Sequence, residues 1–188
     1  MRRAAKAGLP VSVFRPEMLT GSSTTGFSSP TQFVGRLIQG FVSLRASIIE
    51  PAGLGMMPVD YAARITVMLT RHRLAAGRTF HLANSQPVTY PQLGAACVAC
   101  GYEVTPLPYE EWRARFLAAC KGDATGADSA LAPLVAFFPA ELGTGIARYD
   151  CSGLMSVLEQ LDLPPTLLWP PAVDAELLGK YVRQQMAP

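Results

Sequence analysis

The sequence predicts an α/β chain in which strands and helices alternate, and three observations predict it. An apolar run rich in β-branched residues (Val11, Val13, Phe14) leads through Arg15-Pro16 into a loop of Thr, Ser and Gly, the pattern of a buried strand that delivers a loop to a site. RTFHLA (78–83) alternates Phe80 and Leu82 with Thr79 and His81, as a half-buried strand does. Phe33, Leu37, Phe41 and Leu44 recur at helical spacing, and so do Leu154, Val157, Leu158 and Leu161. With 188 residues and 49% hydrophobic content the chain can bury one compact core and is too short for two full domains.

The elements follow in order. MRRAAKAGLPV reads as the last turns of a helix closed by Gly8, because glycine best tolerates the left-handed conformation past a helix end. The strand spans 11–15. Ser29-Pro30 is expected to open the next helix, serine capping free amides and proline losing no bond at the first position. A short strand near 55–58 precedes Asp60, whose carboxylate could cap the helix carrying Ile65, Met68 and Leu69; Asp60 and Tyr61 could alternatively form an acid pair, and cap plus packing tyrosine is the simpler reading. After strand 78–83 come helix 90–100, strand 102–106 and helix 108–120, in which Trp112 and Phe116 share a face and are expected to pack in the core. Residues 121–129 read as a flexible polar loop before an apolar helix at about 130–138. Asp150 or Ser152 caps the helix of Leu154 to Leu161, LDLPPTLLWPP is a rigid connector, and 173–186 is the last helix.

Several functions are excluded. A net charge of +2 with scattered arginines does not suit nucleic acid, and the one tight basic cluster, Arg71-His72-Arg73, sits at a helix end where cations offset the dipole. No apolar stretch approaches the roughly 20 residues that span a bilayer, and Pro10 and Arg15 interrupt any signal-peptide core, so the default location is cytoplasmic. Cys97 and Cys100 form a C-x-x-C inside an apolar segment with no second pair, so no metal site is expected, and Cys120 and Cys151 stand alone. There is no G-x-S-x-G elbow, and His81 has no triad partner in sequence. Gly143 and Gly145 lack the third glycine and the preceding strand of a nucleotide-binding turn.

The stretch GLPVSVFRPEMLTGSSTTG (8–26) resembles thioester reductase domains, the NAD(P)H-dependent extended short-chain dehydrogenase/reductases that release chains from nonribosomal peptide and polyketide synthases. The match runs through Gly8, Arg15, Pro16, Thr20, Gly21, Ser23, Thr25 and Gly26. MMPVDYAARI (56–65), GRTFHLANSQPVTYPQL and YEEWRARF are similar to later family segments in the same order, and the closing helices follow. The chain departs from the family at Glu17, where members commonly carry glycine.

The resemblance implies an incomplete Rossmann sheet edge (1–85) joined to a mainly helical substrate-binding subdomain (86–188). It implies that the loop after Arg15 passes beside the nicotinamide, with Pro16, Glu17, Met18 and Thr20 as cofactor contacts. Arg15 itself would pair with a carboxylate beneath the sheet. Ser22, Ser23 and Thr25 would either reach substrate or merely shape the loop, and Ala83, Asn84 and Ser85 lie near the cofactor end of the sheet. Large aromatics of the C-terminal region could line an acyl channel.

The family uses a Tyr-x-x-x-Lys pair in which lysine lowers the phenol's pKa. Tyr61, Tyr90, Tyr102, Tyr109, Tyr149 and Tyr181 are followed at that spacing by Ile65, Gly94, Pro106, Arg113, Gly153 and Gln185, so no catalytic residue is assigned. Without the glycine-rich turn as well, the chain reads as a portion of the domain lacking its nucleotide-binding half, and binding no cofactor alone. NADPH or NADH would serve the intact domain. Partners would be an acyl- or peptidyl-carrier domain and the nucleotide-binding half. A non-catalytic carrier-docking module, or a fragment of another extended reductase such as a nucleotide-sugar epimerase, are the alternatives. Strands without a neighbour leave backbone groups unpaired, so the isolated chain is expected to be marginally stable or to associate.

Overall fold

The computed structural model describes residues 2–121, 131–143, 148–161 and 163–187. Most of the polar stretch 121–129, and Gly145, lie outside the described residues. In order the elements are α1 (Arg2–Lys6), β1 (Val13–Pro16), β2 (Met18–Thr20), α2 (Phe33–Ser43), β3 (Ala46–Ile48), β4 (Gly53–Leu54), β5 (Met56–Pro58), α3 (Val59–Thr70) and β6 (Thr79–Leu82). There follow β7 (Val88–Thr89), α4 (Tyr90–Ala99), β8 (Thr105–Leu107), α5 (Tyr109–Lys121), α6 (Ser152–Leu158), α7 (Pro165–Leu168) and α8 (Ala175–Gln185). The fold is mixed α/β, as the alternation predicts.

Three strand pairs are parallel: β1 with β6, β2 with β5, and β3 with β8; β4 and β7 pair antiparallel. In the first pair Val13 stands beside Thr79 and Pro16 beside Leu82. The parallel pairing of β1 with β6 spans more than sixty residues of chain, including α2 and α3, because parallel neighbours need a crossover. β1 is less buried than its sequence suggests: Val13 and Phe14 are half-buried, and Arg15 and Pro16 are exposed. Phe14 stacks on Phe80 at 5.7 Å, but among the described residues no strand pairs with the other edge of β1.

Two apolar clusters interleave along the chain. One joins α2, α4, α5 and α8 around β3; the other joins α3, β6 and α6. Strand β5 divides them, because successive side chains point to opposite faces: Met56 belongs to the first cluster and Met57 to the second. Trp112 anchors the first. It stacks on Phe116 at 5.1 Å, meets Phe138 edge-on at 4.8 Å, and donates Nε1–H to the Ala46 carbonyl at 3.2 Å. Both Trp112 and Phe116 are fully enclosed, so they pack the core and do not line an opening.

Several boundaries move. The second helix begins at Phe33, not at Ser29-Pro30: the Ser29 carbonyl accepts from Gln32 N–H in a turn and its hydroxyl pairs with Thr31 Oγ1, leaving it unable to cap. The strand expected over 102–106 is shifted to 105–107, where Thr105 N–H reaches the Arg45 carbonyl. The apolar segment near 130–138 is a 3₁₀ turn over Ala132–Phe137, with Pro133 lacking the amide that a longer helix would use. Within the proline-rich connector, Pro165–Leu168 forms a helical turn, since proline loses nothing at a first position. Gly8 does take a left-handed backbone, φ +81°, behind α1. No helix among the described residues is long and apolar enough to cross a membrane.

Candidate functional site

The loop from Glu17 to Phe27 leaves the C-terminal end of β1, runs through β2 and is held from three sides. On the first side, Glu17 N–H extends the β1–β6 ladder to the Leu82 carbonyl at 2.9 Å. The Glu17 carboxylate turns inward and accepts from Asn84 N–H at 3.0 Å. It lies so close to Gly55 that a Cβ there would stand 2.6 Å from Oε1. Burial raises the Glu17 carboxyl above its ordinary 4.5, partly opposed by the Asn84 amide. Asn84 in turn donates Nδ2–H to the Pro171 carbonyl at 3.2 Å, so one residue ties the ends of β1 and β6 to the connector before α8.

On the second side stands Asp60. Sequence reasoning makes it a helix cap, but Pro58 holds that position, with no side-chain cap. Asp60 lies in the first turn of α3, with its carboxylate directed at the loop: Oδ1 accepts from Ser23 N–H at 2.8 Å and Oδ2 from Ser23 Oγ–H at 2.6 Å. Burial acts on this carboxyl upward, yet the Ser23 hydroxyl and amide, its own amide and Arg64 together hold it below its ordinary 3.8. Tyr61 faces elsewhere: its hydroxyl donates to the Leu168 carbonyl at 3.2 Å, and burial with the nearby Cys151 pushes it up to about 12. The two do not form an acid pair.

On the third side is α8. Tyr181 has one phenolic proton and donates it to the Gly21 carbonyl at 3.0 Å; the Thr20 hydroxyl, 3.1 Å away, therefore donates to the Tyr181 oxygen. Burial pushes the phenol up to about 12, with Thr20 opposing and Asp60 adding to the rise. Gly26 completes the contact. Its φ of +76° and its approach to the Lys180 backbone, which a Cβ would meet at 2.8 Å, both require glycine.

The candidates thus separate. Pro16 is exposed at the strand end, Glu17 and Met18 are half-buried, and Thr20 is buried with its hydroxyl engaged. Ser23 is bound to Asp60. Ser22 Oγ accepts from the amides of Thr24 and Thr25 at 3.3 Å, and Thr25 Oγ1 accepts from Phe27 N–H at 3.2 Å, so both shape the loop. Arg15 is exposed and, among the described residues, makes no ion pair. Outside the loop, His81 stacks on Tyr149 at 5.7 Å, as a structural strand histidine does. Cys97 is fully buried, its thiol pushed up to about 12 by burial and by Cys100, which suits packing and not reactivity. Tyr181 and Asn84's carbonyl contacts carried no signal that local sequence could distinguish from ordinary helix and loop residues.

Residues 1–66 match the NAD-binding family described as male sterility protein. The chain is 28% identical over 180 residues to a linear gramicidin synthase of Brevibacillus parabrevis, covering 95% of this chain and 3% of that protein. It superposes on the terminal R domain of the myxalamid PKS-NRPS pathway with a TM-score of 0.78 and 30% identity, covering 97% of this chain and 45% of that one. These likenesses support a thioester reductase domain of the kind found in nonribosomal peptide and polyketide synthases. These reductases are extended short-chain dehydrogenase/reductases, and the mixed α/β fold here is theirs. The thiolation-reductase di-domain of an archaeal nonribosomal peptide synthetase shares the reductase fold, with a TM-score of 0.68 at 19% identity over 97% of this chain and 37% of that one. The chain therefore spans less than half of either solved protein.

Proposed function

We propose that the chain is the substrate-binding C-terminal portion of an NAD(P)H-dependent thioester reductase, whose complete form releases a carrier-bound acyl or peptidyl thioester as an aldehyde or alcohol. The likeness to the myxalamid reductase domain carries this reading, because it extends along 97% of the chain at 30% identity. Residues 1–85 then supply the sheet edge with its cofactor-side loop, and residues 86–188 the substrate side. The partner is a carrier domain bearing a phosphopantetheine thioester, in keeping with the thiolation module joined to the archaeal reductase.

The residues fit the nicotinamide end of the cofactor and no more. Pro16, exposed at the end of a parallel strand, and the half-buried Met18 offer backbone and apolar surface, while the Glu17 carboxylate is turned away toward Asn84. A pyrophosphate needs a glycine-rich strand-to-helix turn, and these 188 residues contain none. When bound, the nicotinamide supplies a hydride to the thioester carbonyl. This chain's residues would hold the loop in place beside it, Asp60 through Ser23 and Tyr181 through Gly21, and none is assigned as proton donor.

Isothermal calorimetry on the purified 188-residue chain tests the proposal, first with NADPH and NADH and then with an acylated carrier domain. The expected result is heat with the carrier and none with either nucleotide from a folded sample. Stoichiometric nucleotide binding, or no carrier binding, overturns it.

A further inference from the structure

The loop of residues 20–27 sits where the two apolar clusters meet, and each cluster holds it by a different hydrogen bond. Asp60 reaches it from α3, whose Tyr61, Ala62 and Ile65 belong to the cluster of α3, β6 and α6. Tyr181 reaches it from α8, whose Leu177, Leu178 and Val182 belong to the cluster of α2, α4 and α5. The contact with α8 leaves no slack. A Cβ on Gly21 would meet the Gly26 carbonyl at 2.7 Å and the Tyr181 ring at 2.8 Å, and one on Gly26 would meet Lys180 backbone. A glycine-rich loop is ordinarily mobile, but here the glycines allow the backbone to lie flush on a helix.

We propose that Tyr181 is a positioning residue that couples α8 to this loop, so that the packing of the helical substrate side fixes the loop's shape at the strand ends. The Thr20–Tyr181–Gly21 chain is the connecting element: Thr20 Oγ1–H donates to Tyr181, and Tyr181 donates to Gly21. A shift of α8 moves the Gly21 carbonyl with it, while Asp60 keeps Ser23 in place. The functional consequence rests on the loop's contact with the nicotinamide proposed above; the coupling does not.

Amide hydrogen exchange on the 188-residue chain without nucleotide tests it. Tyr181→Phe removes the hydroxyl that donates to Gly21 and accepts from Thr20, and it is expected to speed exchange of the Ser22 and Gly26 amides by about tenfold or more, while the Ser23 amide, held by Asp60, and the core of α3 stay unchanged. Thr20→Val, which removes one of the two bonds, should speed exchange in the same direction by a smaller factor, and Thr20→Ser, which keeps the hydroxyl, should restore slow exchange. Unchanged loop exchange in Tyr181→Phe overturns the proposal, as does a uniform rise across the chain, or Thr20→Ser behaving like Thr20→Val. Because no cofactor is present, nucleotide calorimetry can fail while this result stands, and the reverse.

Discussion

Gly26→Ala and Gly77→Ala impose the same backbone strain and differ only in what surrounds the new methyl. Both glycines have φ +76°, but a Cβ at Gly77 meets nothing within 4 Å, whereas one at Gly26 meets Lys180 carbonyl carbon, oxygen and Cβ at 2.8 Å. Left-handed backbone costs an alanine about 1–2 kcal/mol. Overpacking against backbone adds about 1–3 kcal/mol, because a peptide unit cannot swing aside as a side chain can. Gly77→Ala should therefore lose about 1–2 kcal/mol, and Gly26→Ala about 2–5 kcal/mol. The difference isolates the docking of the loop on α8. Urea denaturation followed by the fluorescence of the enclosed Trp112 reads it, provided the m-values agree. If the two variants fall within about 0.5 kcal/mol of one another, the size of an ordinary surface substitution, the loop does not rest on the helix and the reasoning fails.

Two further outcomes follow from the carboxylates. Asp60→Ala deletes both acceptors of Ser23 and should cost about 1–2 kcal/mol at neutral pH, the lower end for a half-exposed charged acceptor. Since the folded Asp60 carboxyl lies below its ordinary 3.8, its contribution is complete above that value and disappears as pH falls through the folded one; denaturation curves of the two proteins should converge in acid. Glu17 has the opposite sign. Burial raises its carboxyl above 4.5, so the ionised form is penalised in the folded chain above that pH. Glu17→Gln, which can still accept from Asn84 N–H, should be more stable than the natural chain at neutral pH. The gain should vanish as pH falls below 4.5, and a constant difference across pH would contradict the burial argument.

The features legible in sequence were those carried by neighbours along the chain. Alternation placed Phe80 and Leu82 inward on β6, helical spacing placed Leu37 and Phe41 in the core, and Gly8 closed its helix in the left-handed conformation. Ser29 misled because capping chemistry is local in type but not in outcome: its hydroxyl found Thr31 before it found a helix amide. Asp60 misled for the same reason, since an acidic residue beside a helix start is ordinarily a cap and here its partner is Ser23, 37 residues earlier. The short strands β2, β3, β4 and β7 are two or three residues each, too brief for a period-two pattern to register.

By itself, then, the sequence determined the order of segments, the α/β class and the resemblance to a family, because motif spacing and side-chain periodicity are properties of the linear chain. Only the tertiary structure decided what the loop after Arg15 is fastened to. Tyr181 lies 160 residues from Gly21, and nothing in either local pattern encodes that pairing. It exists because the packing of α8 on α2 and α4 brings one phenol to a carbonyl that would otherwise be buried without a partner, and a buried carbonyl left unpaired is costly.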